Sequence, residues 1–385
     1  MKKNLFLKIA ILSVYFVQMG AGAVNPAVAS IAKSFPGIPL TTILLVTTLS
    51  IVASVPATII SGRIAGSKVK YKTLLVLGMI LFTLGGIGPY FTQSSFTMIL
   101  AFRIVFGIGV GIVIPLGAAL IIAFFDGDER NELMGLGGVA SNVGGILFQL
   151  LGGFAASVSW GYSFLVHGLG IITLVLILFL PEPEKTQEKQ SKAKIPGFVY
   201  FYAIGIFVVM VLIFPLLVTM SSVIETGGMG NAADSGMVLT MYTIGGMLAG
   251  FVFAKLFDIL KQNTITVTLF LIAIAMACIA FGNTIVFMYV GATLGGIGIG
   301  VITPTIFILL GNKLPSAQVA IASGLIMGFM NVGGFLSAYV YEMLAIVFGQ
   351  VGNLKFPFYF ATGCFAIGAI GILVIKNVKS VKKVM

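Results

Sequence analysis

One histidine, two cysteines, one tryptophan and 11 acidic residues are all that this chain of 385 residues holds of those types. Each shortage removes a class of function. A lone His167 cannot build a histidine-rich metal site. It is read as a packing histidine in a hydrophobic segment, with a proton relay as the other reading. Cys278 and Cys364 fall in different apolar runs. They read as packing residues and say nothing about redox compartment. There is no G-x-S-x-G, no H-E-x-x-H and no P-loop, so nothing signals an enzyme. The G-x-G-x-G runs lie inside apolar stretches far too long to be the first strand of a βαβ unit, so no dinucleotide cofactor, or any other, is expected. Charged residues make up only 9% of the chain, against about 25% in a soluble domain.

What fills the space is apolar. Hydrophobic residues reach 59% and the mean hydropathy is +1.14. A helical span of the hydrocarbon core needs roughly 20 apolar residues. Twelve segments meet that need: 5–32, 40–65, 73–92, 97–125, 132–158, 161–181, 197–224, 235–257, 264–283, 286–312, 316–345 and 356–377. The fold class is therefore an all-α polytopic membrane protein. The 49 glycines suit close helix packing, which in lipid relies on small residues. The longest polar stretch, Pro181–Pro196, divides the chain. The expected domains are an N-terminal six-helix half at 1–181, a cytoplasmic linker at 182–196, and a C-terminal six-helix half with a basic tail at 197–385.

The two halves repeat at an offset of 189 residues. Pro26 matches Pro215. Gly107, Gly109, Gly111 and Pro115 match Gly296, Gly298, Gly300 and Pro304. Asn142-Val143-Gly144-Gly145 matches Asn331-Val332-Gly333-Gly334. Paired hydrophobic repeats are the architecture of secondary transporters, with the substrate site between the halves.

The net charge of +11 is distributed by topology. Nineteen of the 22 Lys and Arg residues fall at the termini and the even-numbered connections, while Lys33 and Lys355 fall on the other side. This bias places both termini in the cytoplasm of a multi-pass plasma-membrane protein. It also speaks against nucleic acid as a partner; the expected partners are the lipid bilayer and a small-molecule substrate. Met1–Ala23 has signal-peptide features, but the apolar pattern runs on past Pro26, so the segment reads as a retained first helix.

Within the spans, polar residues stand out one by one. Arg103, Gly107 and Gly111 recur every four positions and share a helix face. A charged Arg at the middle of a span costs roughly 2.5–3.5 kcal/mol and persists where it faces the bundle or a cavity. It has two readings, a functional charge and an anchor to backbone carbonyls. Gly135, Gly138, Asn142, Gly145, Gln149 and Gly152 form a seam of small and amide residues on one helix. Asn142 and Asn331 are expected to bond across helices, with substrate contact as the alternative. Proton coupling needs a group that titrates as access alternates. The acidic candidates are Glu225 and Glu342, with Glu342 expected to be the more desolvated and Glu342→Gln to uncouple transport from a pH gradient.

These residues resemble the major facilitator superfamily. Arg103-x-x-x-Gly107-x-Gly109-x-Gly111 looks like its motif B. Gly62, Arg63, Lys68 and Lys70 sit where its motif A belongs, with Gly66 in place of the usual Asp, and Gly250, Lys255 and Asp258 occupy the equivalent loop of the second half. Gly135, Gly144 and Gly152-Gly153 resemble motif C, whose Gly-Pro pair is here Phe148-Gln149. The resemblance implies twelve helices, alternating access, a monomer, and a cavity lined by Gln18, Asn25, Arg103, Asn142, Gln149, Ser222, Tyr242, Thr293 and Asn331. It assigns gating or motif roles to Gly62, Arg63, Lys68, Lys70, Gly107, Gly109, Gly111 and Asp258; the residues themselves nominate Arg103, Glu225 and Glu342 for proton coupling. An otherwise apolar wall suits a moderately hydrophobic organic solute better than a sugar. Proton-coupled efflux is the expected function. The alternatives are uptake of a small organic anion by symport or uniport, with Arg103 as counter-charge, and a channel or sensor.

Overall fold

The structure, a computed structural model, describes residues 2–183 and 195–384. The expected linker 182–196 lies mostly outside the described residues. Eleven described helices are long and apolar enough to cross a membrane. In chain order with the shorter apolar helix they are α1 (Leu5–Ser34), α2 (Leu45–Ile64), α3 (Tyr71–Phe91), α4 (Phe96–Phe124), α5 (Gly127–Val158), α6 (Tyr162–Leu178), α7 (Gly197–Val218), α8 (Ala232–Leu260), α9 (Thr264–Phe281), α10 (Ile285–Gly311), α11 (Ile321–Val347) and α12 (Phe356–Val374). The all-α reading holds, and the count is twelve once α6 is included. Within α6 the winding changes to 3-10 at Val166–Leu169.

The chain forms two compact units, Met1–Gln190 with Asn231–Met237, and Ser191–Gly230 with Val238–Met385. Each has its own apolar core. The first is built on Phe82, Phe106, Phe148 and Met79, the second on Leu216, Met276, Ile279 and Phe358. Packing follows the sequence repeat. In the first unit α4 packs on α2 and α3, and α5 on α1; in the second α9 packs on α10 and α12, and α11 on α7.

Glycines set the closest approaches. A methyl group on Gly107 or Gly111 would strike the backbone of Ser50 or Ser54 in α2, and one on Gly109 would strike Phe82 in α3. Their repeat partners behave alike: Gly296 and Gly300 lie against Tyr242 and Gly246 of α8. The motif B glycines are therefore packing surfaces.

Proline breaks the ladder at matched places, and neighbouring helices satisfy what it frees. Pro115 has no N–H for the Gly111 carbonyl, which accepts instead from Thr58 Oγ1 of α2 at 3.0 Å. Pro215 frees the Val211 carbonyl, which accepts from Ser337 Oγ of α11 at 2.7 Å. Tyr341 Oη donates to the Leu212 carbonyl at 3.1 Å. In α1, Pro26 lies in an eleven-residue 3-10 stretch, Val17–Ala27. A 3-10 stretch inside a longer helix often marks a hinge.

At one end of the first unit, Glu182 accepts from the backbone N–H groups of Tyr71 at 2.6 Å and Lys72 at 3.1 Å, capping the start of α3. Lys8 pairs with Glu129 at 2.6 Å. The segment resembling motif A is a tight loop after α2. Gly66 has φ +70°, and an added Cβ would meet the Tyr71 ring. An aspartate there would be strained, which accounts for the glycine. Gly62 and Arg63, on the last turn of α2, and Lys68 and Lys70, beyond it, are exposed. The expected equivalent loop in the second half is not a loop. Gly250, Lys255 and Asp258 lie within α8, which runs on to Leu260, and Asp258 is exposed. Nothing in that stretch supplies a helix stop before the turn at Lys261–Asn263.

Candidate functional site

Arg103 is fully enclosed in the first unit. Its Nε donates to the Val46 carbonyl of α2 at 2.7 Å, and one terminal nitrogen lies 3.4 Å from Ser50 Oγ. The guanidinium stacks 4.2 Å from the centroid of the Phe106 ring. Its Nη1 has no partner. Of the two sequence readings, the carbonyl anchor is directly visible. Yet the repeat partner of Arg103 is Ala292, itself fully buried at the same place in the other unit. The α2–α4 type of packing works without a cation, so the arginine exceeds what packing requires.

The remaining candidates of the first unit gather on α1 and α5. Gln18 and Asn25 both lie on the 3-10 stretch of α1 and are half-buried. Gln18 Nε2 donates to the Ile114 carbonyl of α4 at 3.3 Å. Gln149 is buried and packs on Gly22 of that stretch. Asn142 corrects the expectation of a cross-helix bond, because its Nδ2 donates to Gly138 of its own helix at 3.1 Å. The seam is borne out in part. Its members Gln149 and Gly152 pack on Gly22 and Ala23 of α1, whereas a Cβ added at Gly135 or Gly138 would meet nothing within 4 Å, and the non-members Gly137 and Gly144 meet Tyr15 and Phe16.

In the second unit, α7 continues beyond Thr219 as the helical segment Met220–Thr226. Ser222 on it is buried, and its hydroxyl has no partner. Tyr242 is half-buried against the core. Thr293 spends its hydroxyl on the Tyr289 carbonyl of its own helix at 2.8 Å. Asn331 is exposed. The cross-helix bonds expected of it come instead from Ser337 and Tyr341, whose side chains reach the carbonyls beside the Pro215 break. Glu225 is half-buried. Glu342 is exposed although Tyr341 before it is buried, because adjacent positions on a helix point 100° apart. Glu342 is therefore not enclosed by the protein.

Sequence reasoning offered two readings of His167, packing and proton relay, but not the groups around it. The imidazole is fully enclosed among Phe82, Phe106 and Phe148, with ring centroids 5.8, 4.8 and 6.0 Å away. The signal was available, since Phe106 lies three residues after Arg103 and Phe148-Gln149 replaces a small motif pair.

Two discontinuous helices at corresponding positions of two repeats, each with sparse polar groups, are the arrangement in which paired-repeat transporters place a binding site. The sequence model of the Major Facilitator Superfamily matches residues 10–336 and 197–384. The chain belongs to that superfamily. It is 25% identical over 248 residues to the multidrug transporter protein MdtP of Bacillus subtilis, covering 63% of this chain and 42% of that relative. The chain thus spans less than half the length of that relative. It is 25% identical over 364 residues to the bacillibactin exporter of Bacillus subtilis, covering 87% of this chain and 89% of the exporter. In fold it resembles the nucleoside transporter NupG (TM-score 0.76, 14% identity, 96% and 99% of the chains) and a D-xylose-proton symporter (TM-score 0.69, 14% identity, 94% and 96%).

Proposed function

We propose that this transporter exports a moderately hydrophobic organic compound by alternating access, driven by a proton gradient. The observation that carries the reading is the matched interruption of α1 and α7 at Pro26 and Pro215. The candidate contacts Gln18, Asn25, Gln149 and Ser222 lie on or against those interrupted segments, and Tyr242, Thr293, Asn142 and Asn331 are the outer members of the proposed set. So few hydrogen-bonding groups suit an apolar solute, and relatives described as a multidrug transporter and an exporter support the outward direction. Uptake of an organic anion with Arg103 as counter-charge is less well supported, because Arg103 is enclosed between α2 and α4.

The test is transport in proteoliposomes with an imposed pH gradient, using ethidium as a lipophilic cation, benzoate as an organic anion and xylose as a sugar. Ethidium accumulation against its gradient is expected, with no movement of xylose. Gradient-driven benzoate uptake would favour the alternative. The Lys/Arg bias supports cytoplasmic termini, so a reporter fused after Lys383 is expected to signal from that side, and an external signal would overturn the topology.

The carboxylates are tested in the same vesicles. Their exposure revises the expectation: Glu342→Gln should retain gradient-driven transport, because the carboxyl is not enclosed by its own unit. Glu225→Gln is expected to reduce it by a few-fold at most. Loss of the gradient response in Glu342→Gln, with exchange intact, would return the coupling role to that residue.

A further inference from the structure

The only histidine of the chain sits at the 3-10 turn of α6. Its Nδ1 is 2.9 Å from the Phe164 carbonyl. A carbonyl only accepts, so Nδ1 carries the hydrogen and the lone pair of the neutral ring is on Nε2. That atom is buried without a hydrogen-bond partner. Buried polar atoms left unpaired are rare and call for a reason. Two more lie in the same neighbourhood. Thr83 Oγ1 on α3 has no partner and faces Gly170, one turn along α6 from His167. Arg103 Nη1 has none either, and its guanidinium shares the Phe106 ring with the imidazole.

The groups that face the ring can be named element by element. From α3 come Phe82 and Gly86, with Thr83 nearby; from α5, Phe148; from α4, Phe106 with Arg103 on the same ring. From α1 comes Gly20, which packs on the Phe82 and Phe148 rings, and its 3-10 stretch packs on the 3-10 turn that carries His167. Among the described residues Arg103 is the charged group of this set, and no carboxylate belongs to it.

We propose that Nε2 of His167 takes up and releases the coupling proton, and that the charge it gains acts on the 3-10 stretch of α1. The inference rests on the proton-driven reading above and names its site. On uptake, the Nε2 lone pair accepts a proton while Nδ1–H stays on the Phe164 carbonyl. The new Nε2–H is a donor in need of an acceptor, and the 3-10 stretch of α1 packs on the turn that holds it. Gly20 belongs to Val17–Ala27, the stretch that also carries Gln18 and Asn25 and packs Gly22 on Gln149. Protonation therefore pulls on the backbone that presents the proposed substrate contacts. It also puts a second positive charge beside the ring that holds Arg103. Like charges in an apolar site repel strongly, so the proton is held only in a conformation that separates or hydrates the pair. Binding of the proton and rearrangement of α1 are then one coupled equilibrium.

A single histidine and a single tryptophan make the test direct. Full-length protein without a histidine tag, labelled with 15N-histidine and placed in liposomes, gives one imidazole in solid-state NMR. Between pH 9 and pH 5 the unprotonated Nε2 signal is expected to give way to imidazolium. Arg103→Gln should raise the imidazolium share at each pH. Trp160, which packs on Phe35 after α1 and on Phe164 of α6, should change its fluorescence over the same pH range. His167→Asn keeps a donor for Phe164, lacks Nε2, and should abolish that change. An Nε2 that stays unprotonated at pH 5, or a Trp160 response that survives in a folded His167→Asn, overturns the proposal. None of these readouts needs a transported compound. A titrating His167 with gradient-independent ethidium movement would overturn the proton-driven reading and leave the proton site standing.

Discussion

Arg103→Ala is expected to abolish gradient-driven transport while leaving the protein folded and inserted. Ala292 fills the equivalent buried position of the second unit, so an alanine is compatible with this helix packing. What disappears is the charge, the bond to the Val46 carbonyl at 2.7 Å and the stack on Phe106. Charge-assisted hydrogen bonds contribute about 1.5–3 kcal/mol each. A loss of the bond from a state-specific contact would slow the cycle about tenfold to a hundredfold at the same energies. Arg103→Lys should rescue poorly, because an ammonium cannot both stack flat on a ring and reach Val46 from the side. Initial transport rates in proteoliposomes, normalised to reconstituted protein, decide the matter. Near-normal rates in Arg103→Ala would leave the arginine as an anchor only.

Gly107→Val is expected to do the opposite: destroy the first unit rather than its cycle. The new side chain would meet the Ser50 backbone and the Ala53 methyl of α2, and a backbone cannot swing aside as a long side chain can. Overpacking of a core costs typically 1–3 kcal/mol and more where nothing can yield. Gly135→Val is the matched control, because Gly135 has no neighbour within 4 Å and glycine is a poor helix former in any case. Thermal unfolding in detergent, followed by size-exclusion chromatography, should show Gly107→Val aggregated or strongly destabilised and Gly135→Val close to wild type. Equal behaviour of the two would remove the close α2–α4 approach as the reason for the glycine.

The superfamily, the twelve hydrophobic segments and the two-fold repeat were legible from the sequence because each rests on local composition or on a fixed offset. Lipid demands about twenty apolar residues wherever a helix crosses, and Pro26 and Pro215 carry their helix-breaking chemistry with them. The face of each helix was harder. Of the predicted seam on α5, Gln149 and Gly152 do pack on α1, but Gly135 and Gly138 do not, and Gly137 and Gly144 take their place. Nearly every position on such a helix is apolar or small, so periodicity cannot choose between adjacent faces. Asn142, Thr293 and Asn331 were overread for the same reason. An amide or hydroxyl in a helix can bond to its own preceding turn, and sequence gives no way to tell that from a bond to a neighbour.

What the sequence by itself determined is the class of protein: the apolar mass, the basic bias of the even-numbered connections and the 189-residue offset admit a paired-repeat membrane transporter. Only the tertiary structure decided which polar atoms are enclosed and what they touch. It put Arg103 between α2 and α4 on the Phe106 ring, left Glu342 exposed beside a buried Tyr341, and closed the one histidine in among three phenylalanines with an unpaired Nε2. The reason is physical. Insertion into a membrane is governed by the summed hydrophobicity of a segment, a quantity additive along the chain. The environment of a buried charge or imidazole depends on contacts between residues tens of positions apart, and those exist only once the helices have packed.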